Sequence, residues 1–236
     1  MPPLTIAFLT DLHVGCHSVP LAKLDGIVAQ TNALNADIIL LGGDYLTGLN
    51  PKSWSNYIQP EPIAEKLAAL EAPLGVFSVL GNHDWYCDGM GMWQALEQNG
   101  ITVLENNAVH IPFGQKGFWL VGLADYLMRK PDYAGAMARA NTDAPKIVVS
   151  HDPMTYKDMP QNALVQLSGH THGGQVKLPF IGPVVSPTPG TPLSWLYGRI
   201  EEGNSTLITS SGVGTSLLPL KNTPCEVVRV AISAAS

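Results

Sequence analysis

Nine candidate residues, of types that bind cations or move protons, are drawn from five short segments. The segments are FLTDLH (8–13), ILLGGDY (39–45), SVLGNHDW (78–85), IVVSHDP (147–153) and VQLSGHTHGG (165–174). In each, a short apolar run is followed at once by Asp, Asn or His. The residues are Asp11, His13, Asp44, Asn82, His83, Asp84, His151, His170 and His172. Taken singly, a histidine after a strand is a surface residue, and Asp or Asn there is turn chemistry. Five such ends in one chain, holding five of its seven histidines, imply a shared polar site. Sites in open α/β sheets collect beyond the carboxyl ends of strands.

The donor types narrow the chemistry. Imidazole, carboxylate and one amide oxygen suit Mn, Fe, Co or Zn and do not suit an all-oxygen Ca²⁺ cage. Seven candidate ligands exceed what one tetrahedral ion needs. Two ions sharing a carboxylate would use them all. Such pairs, ~3.5–4 Å apart, polarise a phosphoryl group and deprotonate a water.

The elements that must position these residues follow from periodicity. LTIAFLT, DIILLGG (37–43) and GVFSVLG (75–81) read as buried strands. KIVVS, LVQLSG, STLITSSG and the alternating EVVRVAIS (226–233) read likewise, and NAVHIPF with GFWLVGL reads as a hairpin. Helices are expected over 20–34 with Ser18 as cap, from Pro62 to Glu71, over 92–100 and within PDYAGAMARAN. The first half alternates strand and helix and the second is mostly strand. The expected fold is an α/β, layered αββα sandwich of two mixed sheets flanked by helices, with the metal site at strand carboxyl ends. A single domain over 1–236 is expected, and the Pro-rich 179–193 is expected to be a surface loop.

Composition limits the function classes. The chain has 236 residues, 45% hydrophobic and 14% charged, which argues against disorder. A net charge of −6 with no Lys/Arg cluster disfavours nucleic acid as a partner. Three cysteines without a C-x-x-C pair suit a reducing compartment. No apolar run approaches the ~18 residues of a membrane span. The expected location is cytoplasmic, with peripheral membrane contact as the alternative; an upstream anchor or export signal and the oligomeric state stay open.

The set DLH…GGD…GNHD…SHDP…GHTH resembles the calcineurin-like metallophosphoesterase superfamily, with the blocks in that family's order from 11 to 172. GHTHGGQV with GVGTSLLPLKNTPCEV (212–227) is similar to a bacterial subgroup of small phosphodiesterases, including UDP-2,3-diacylglucosamine pyrophosphatase-type members. Lys221 stands where that subgroup would have arginine. The resemblance implies that Asp11, His13 and His172 hold one metal, that Asp44 bridges, and that Asn82, His151 and His170 complete the second. It implies a metal-bridging hydroxide as nucleophile, His83 protonating the leaving group and Asp84 orienting His83. Manganese is the first expected metal, then iron, zinc or cobalt.

Leu80 stands where protein phosphatases of the superfamily carry arginine before GNH. Thr47 stands where purple phosphatases need tyrosine, with Tyr45 out of register. A small phosphodiester or pyrophosphate is therefore the expected substrate, lipid-linked or nucleotide-linked. A cyclic-nucleotide phosphodiesterase or nuclease is the second reading and a non-catalytic metal-binding module the third. His17 and Cys16 are read as bystanders near the rim, and His110 as structural. The aromatic segments 85–93 and 192–198 are read as loops that either touch an acyl chain or close the sandwich edge.

Overall fold

The computed structural model describes residues 2–48, 57–175, 177–178, 182–183, 186–215 and 222–233. Strands β1 (Leu4–Leu9), β2 (Ile38–Leu41), β3 (Val76–Ser78) and β4 (Thr102–Val103) run parallel in one sheet. A second sheet contains β5 (Asn107–Ile111), β6 (Phe118–Gly122), β7 (Lys146–Val149) and β8 (Ala163–Ser168). A ribbon, β9 (Lys177–Leu178) with β10 (Gly182–Pro183), follows. Strands β11 (Gly198–Glu202) and β12 (Ser205–Thr209) complete the second sheet, in the order β11-β12-β8-β7-β6-β5. Strand β13 (Val228–Ile232) returns to the first sheet, antiparallel to β1, giving β13-β1-β2-β3-β4.

Alternation along each strand divides its side chains between two layers. Leu4, Ile6 and Phe8 of β1 and Ile38 and Leu40 of β2 face the second sheet, where they pack with Phe118, Leu120, Ile147, Val149 and Leu167. Ala7, Leu9, Ile39 and Leu41 face outward, under helices α1 (Lys23–Asn32) and α2 (Pro60–Leu67) and the helix over Gly89–Gln98. The outer face of the second sheet is covered by a helix over Tyr133–Arg139, through Ala136 and Ala140 on Val121 and Val148. The result is the expected layered sandwich of two mixed sheets.

Several local expectations change. Ser18 does not cap α1: the helix starts at Lys23 after Ala22, and the Ser18 hydroxyl meets Cys16 Sγ at 3.1 Å and Thr215 Oγ1 at 3.4 Å. Pro60, not Pro62, occupies the first helical position of α2, which ends at Leu67 rather than Glu71. A first-position proline loses no hydrogen bond because that N–H has no helical partner. Residues 85–93 are not a loop. They span the end of α3 (Asn82–Cys87) and the start of α4 (Gly89–Gln98), where Trp85 and Trp93 pack half-buried on the core. With α4 numbered, Tyr133–Arg139 is α5. In 192–198, Trp195 is buried edge-on against Tyr156, while Leu193 and Tyr197 are exposed. The first part of the Pro-rich stretch, residues 179–181 and 184–185, and Lys221 lie outside the described residues.

Candidate metal centre

The carboxyl ends of the parallel strands converge at one edge of the sandwich. Asp11 and His13 follow β1, Asp44 follows β2, and Asn82 opens α3 just after β3. His151 follows β7, and His170 and His172 follow β8. Five of these residues sit in the left-handed region: Asp11 (φ 54°), His13 (φ 44°), Asp44 (φ 57°), His170 (φ 65°) and His172 (φ 49°). That conformation costs a non-glycine residue about 1–3 kcal/mol and concentrates at functional sites. The surroundings hold it in place. Asp11 N–H donates to the Gly43 carbonyl and His13 N–H to that of Asp44, both at 2.9 Å, and Gly214 N–H donates to Asp11 O at 2.7 Å.

Two donor groups form around one carboxylate. In the first, His13 Nε2 lies 3.1 Å from His172 Nε2, and Asp11 Oδ1 lies 3.5 Å from His172 Nε2. In the second, His151 Nε2 lies 3.2 Å from both His170 Nδ1 and Asn82 Oδ1. Asp44 Oδ2 is 3.5 Å from His13 Nε2 and 3.2 Å from His151 Nε2, so a single oxygen faces both groups. The other oxygen, Oδ1, accepts the His83 backbone N–H at 2.8 Å. All seven side chains are buried.

The proton inventory shows why this arrangement fits cations. His13 Nδ1 faces the Leu46 carbonyl at 3.2 Å and His151 Nδ1 the Gly42 carbonyl at 2.8 Å. A carbonyl only accepts, so each Nδ1 carries a proton, and in the neutral ring each Nε2 is left as a lone pair. Ligating histidines commonly donate their second N–H this way. Around His151 Nε2, the acceptors Asp44 Oδ2 and Asn82 Oδ1 then crowd within 3.2 Å. Acceptors that close repel unless a cation stands between them. A proton can fill that place: although burial opposes it, the Asp44 carboxylate holds His151 well above the usual histidine range. Burial pushes the Asp44 carboxyl up, but the histidine charges, led by His151, outweigh it and hold Asp44 well below the carboxylate range. Burial pushes His13 well down, and His170 down to about 4.

Glycines answer to close approach here. A Cβ on Gly169 would strike Asp11 Oδ2 and Thr10 Oγ1, and one on Gly81 would strike Asp44 Oδ1. The backbone therefore packs directly onto the two carboxylates.

Asp84 is a correction. Its carboxylate does not touch His83. Oδ2 accepts the N–H groups of Asp44 and Gly81, and Oδ1 those of Tyr45 and Leu46, at 2.9–3.0 Å. Both oxygens are committed to the turn that presents Asp44. Burial and the Asp44 charge push its carboxyl up to about 7. His83 is held instead by the Gly48 carbonyl, which accepts from Nδ1 at 2.7 Å, and one of its ring nitrogens lies within 4.8 Å of donor atoms of His13 and Asp44.

Other residues sort clearly. His17 is exposed, Cys16 is buried on Ser18, and His110 is exposed in the hairpin on the Lys116 carbonyl. The Tyr45 hydroxyl bonds Ser78 Oγ at 2.6 Å in the core, away from a ligand role. Sequence reasoning passed over Asp125, Asp152 and Thr188, all buried. Asp125 follows β6 as Asp11 follows β1, so a sixth strand end carried the same signal. Asp152 lies inside the segment IVVSHDP, next to the candidate ligand His151. Nothing marked Thr188.

Comparison with known proteins gives the class. Residues 4–174 match the calcineurin-like phosphoesterase family, and the chain belongs to it. It is 30% identical over 222 residues to the uncharacterized metallophosphoesterase YkuE of Bacillus subtilis, covering 92% of this chain and 74% of that one. It is 32% identical over 224 residues to the phosphodiesterase YaeI of Escherichia coli, covering 90% and 76%. Other relatives are longer, and the chain spans 56% of one and 38% of another. In fold it is similar to a 5'-nucleotidase precursor from Thermus thermophilus, with a TM-score of 0.54 at 13% identity, covering 98% of this chain and 54% of that one. Family and relatives make this chain a metal-dependent phosphoester hydrolase. Among the described residues, no helix is long and apolar enough to cross a membrane.

Proposed function

We propose that the chain is a two-metal phosphodiesterase or pyrophosphatase. The observation that carries this reading is the single Asp44 oxygen lying between two histidine groups, 3.5 Å from one and 3.2 Å from the other. Asp11, His13 and His172 would hold one ion, Asn82, His151 and His170 the other, and Asp44 both. Three of the seven donors are oxygens and none is a thiolate, which favours manganese, with iron, zinc or cobalt as the alternatives. Two such ions, when bound, polarise a phosphoryl group and acidify a water.

The chain's own residues supply the rest. The Asp44 turn, held by Asp84, fixes the shared carboxylate. His83, anchored through Nδ1, offers Nε2 to protonate the leaving oxygen. Leu80 in place of an arginine leaves no guanidinium fork at that position for a dianionic monoester, which supports a diester or pyrophosphate. A lipid-linked or nucleotide-linked substrate is the finer proposal. Exposed Met90 and Leu193, on segments adjoining α3 and Thr188, support an apolar contact. Three free cysteines support a reducing, cytoplasmic setting, and the described strands support one domain.

The test combines metal analysis with four substrates: bis-p-nitrophenyl phosphate, p-nitrophenyl phosphate, cyclic AMP and a UDP-linked lipid. The expected result is two Mn²⁺ per chain and metal-dependent turnover of the diester above the monoester. Turnover of the monoester alone, or uptake of a single ion, overturns the reading. The cyclic-nucleotide and lipid arms select the substrate class.

A further inference from the structure

Behind His170, a carboxylate and a hydroxyl meet the ring on the side away from the donor group. Thr188 Oγ1 lies 3.0 Å from His170 Nε2 and donates to Asp152 Oδ2, itself 3.6 Å from His170 Nε2. Asp152 Oδ1 accepts the Met154 N–H at 2.8 Å, so the carboxylate is fixed from both sides. The three side chains are 0–5% exposed, which keeps water from substituting for any of them.

Proton counting assigns the direction of each bond. A carboxylate only accepts, so the single Thr188 hydroxyl proton goes to Asp152. The Thr188 oxygen is then an acceptor, and the hydrogen bond at His170 needs its proton on Nε2. Nδ1 is left as the lone pair, and Nδ1 is the atom that faces His151 Nε2 at 3.2 Å. The neighbouring histidines are arranged the other way, with Nδ1 on a carbonyl and Nε2 in the donor group. Among the described residues, no backbone carbonyl bonds His170 in that role; a hydroxyl and a carboxylate stand there.

We propose that Asp152 and Thr188 are positioning residues that hold the His170 proton on Nε2 and so present Nδ1 to the second cation. The proposal rests on the two-ion reading. It also gives the segment around Thr188 a task. This segment is folded on itself by Ser186 Oγ donating to the Thr188 carbonyl at 2.9 Å, and its seating completes the centre.

The test uses Mn²⁺ titration of chelator-stripped full-length protein, following free Mn²⁺ by electron paramagnetic resonance. A second readout is the ¹⁵N spectrum of histidine-labelled, metal-free protein, which locates the His170 proton. Thr188→Val keeps the shape and removes the hydroxyl. It should weaken the second site by about 10–100-fold and leave the first within about twofold, as for lost outer partners of metal ligands. Thr188→Ser should restore binding, and Asp152→Asn should fall between. The wild-type spectrum should show the proton on Nε2, and Thr188→Val a mixture. Equal second-site affinity in Thr188→Val, or a wild-type proton on Nδ1, overturns the proposal. If wild-type protein takes up only one ion, the two-ion reading fails, and the ¹⁵N spectrum still decides the relay. The wild-type spectrum also decides it should a variant not fold.

Discussion

Asn82 and His83 are neighbours with different tasks. Asn82 Oδ1 faces His151 Nε2, whereas the His83 ring is turned to the Gly48 carbonyl and only its backbone N–H touches Asp44. Substitution by alanine keeps that N–H. His83→Ala should therefore leave metal content near wild type and lower kcat by ~10²–10⁴, the range for a general acid. The loss should be smaller for a p-nitrophenyl diester than for an alkyl diester, because p-nitrophenolate needs little protonation. Asn82→Ala should lose second-site metal. Metal analysis beside rates on the two diesters checks both; metal lost from His83→Ala would make His83 a ligand. Asp84 makes a different prediction. Asp84→Asn places an NH₂ against two backbone N–H groups, at about 1–3 kcal/mol for each donor left unpaired. Tm and metal content should fall together. Lost activity with unchanged Tm would return Asp84 to a role on His83.

At the scale of elements, what could be read from sequence depended on period. Buried strands such as IILL are uninterrupted apolar runs, and their ends are marked by the first polar residue, so the five segments and their common edge were legible. Helix α3 was not. It has six residues, is capped by Gly81 and carries Asn, His and Asp in its first turn, a composition shared with loops. Its start is fixed by Asp84 reaching back to the Gly81 N–H, a contact that sequence alone does not reveal. For the same reason the sequence pairs Asp84 with His83, its chain neighbour, whereas three of its four partners lie 38–40 residues away on the Asp44 turn. Thr188 was invisible because its partners, His170 and Asp152, stand 18 and 36 residues earlier, in the turns after β8 and β7. The glycines of GHTHGG were legible as a tight turn, but the close approach of the first of them, Gly169, to Asp11 was not. Gly169→Ala should push Asp11 aside, since a Cβ there meets Asp11 Oδ2. Affinity should fall more at the first site than at the second, measured by Mn²⁺ titration. Two unaltered sites would show that the backbone can shift without moving Asp11.

At the scale of the molecule, the centre joins the two sheets. Asp11, His13, Asp44 and Asn82 come from the first, and His151, His170 and His172 from the second, above an apolar layer that already holds the sheets together. Bound ions should therefore stabilise the sandwich as well as catalyse. A ligand at ~100 times its Kd adds about 2.7 kcal/mol. At roughly 2–4 °C per kcal/mol for a chain this size, stripping the metal should lower Tm by about 5–10 °C. The pH dependence has a definite sign. In stripped protein, although burial opposes it, the Asp44 carboxylate raises the His151 pKa above that of the unfolded chain. That contribution is complete below the unfolded pKa and is lost as pH rises through the folded one. In loaded protein a cation would occupy the same nitrogen, and rising pH would remove its competitor. His13 and His170 have pKa values pushed down by burial, so their contributions change only as pH falls below the ordinary histidine range. Between about pH 7 and 9 the Tm difference between loaded and stripped protein should therefore widen with pH. Calorimetry of the two forms across that window is the check. A constant or narrowing difference would mean that no proton stands at His151 in the absence of metal, and that the acceptors around it are satisfied in another way.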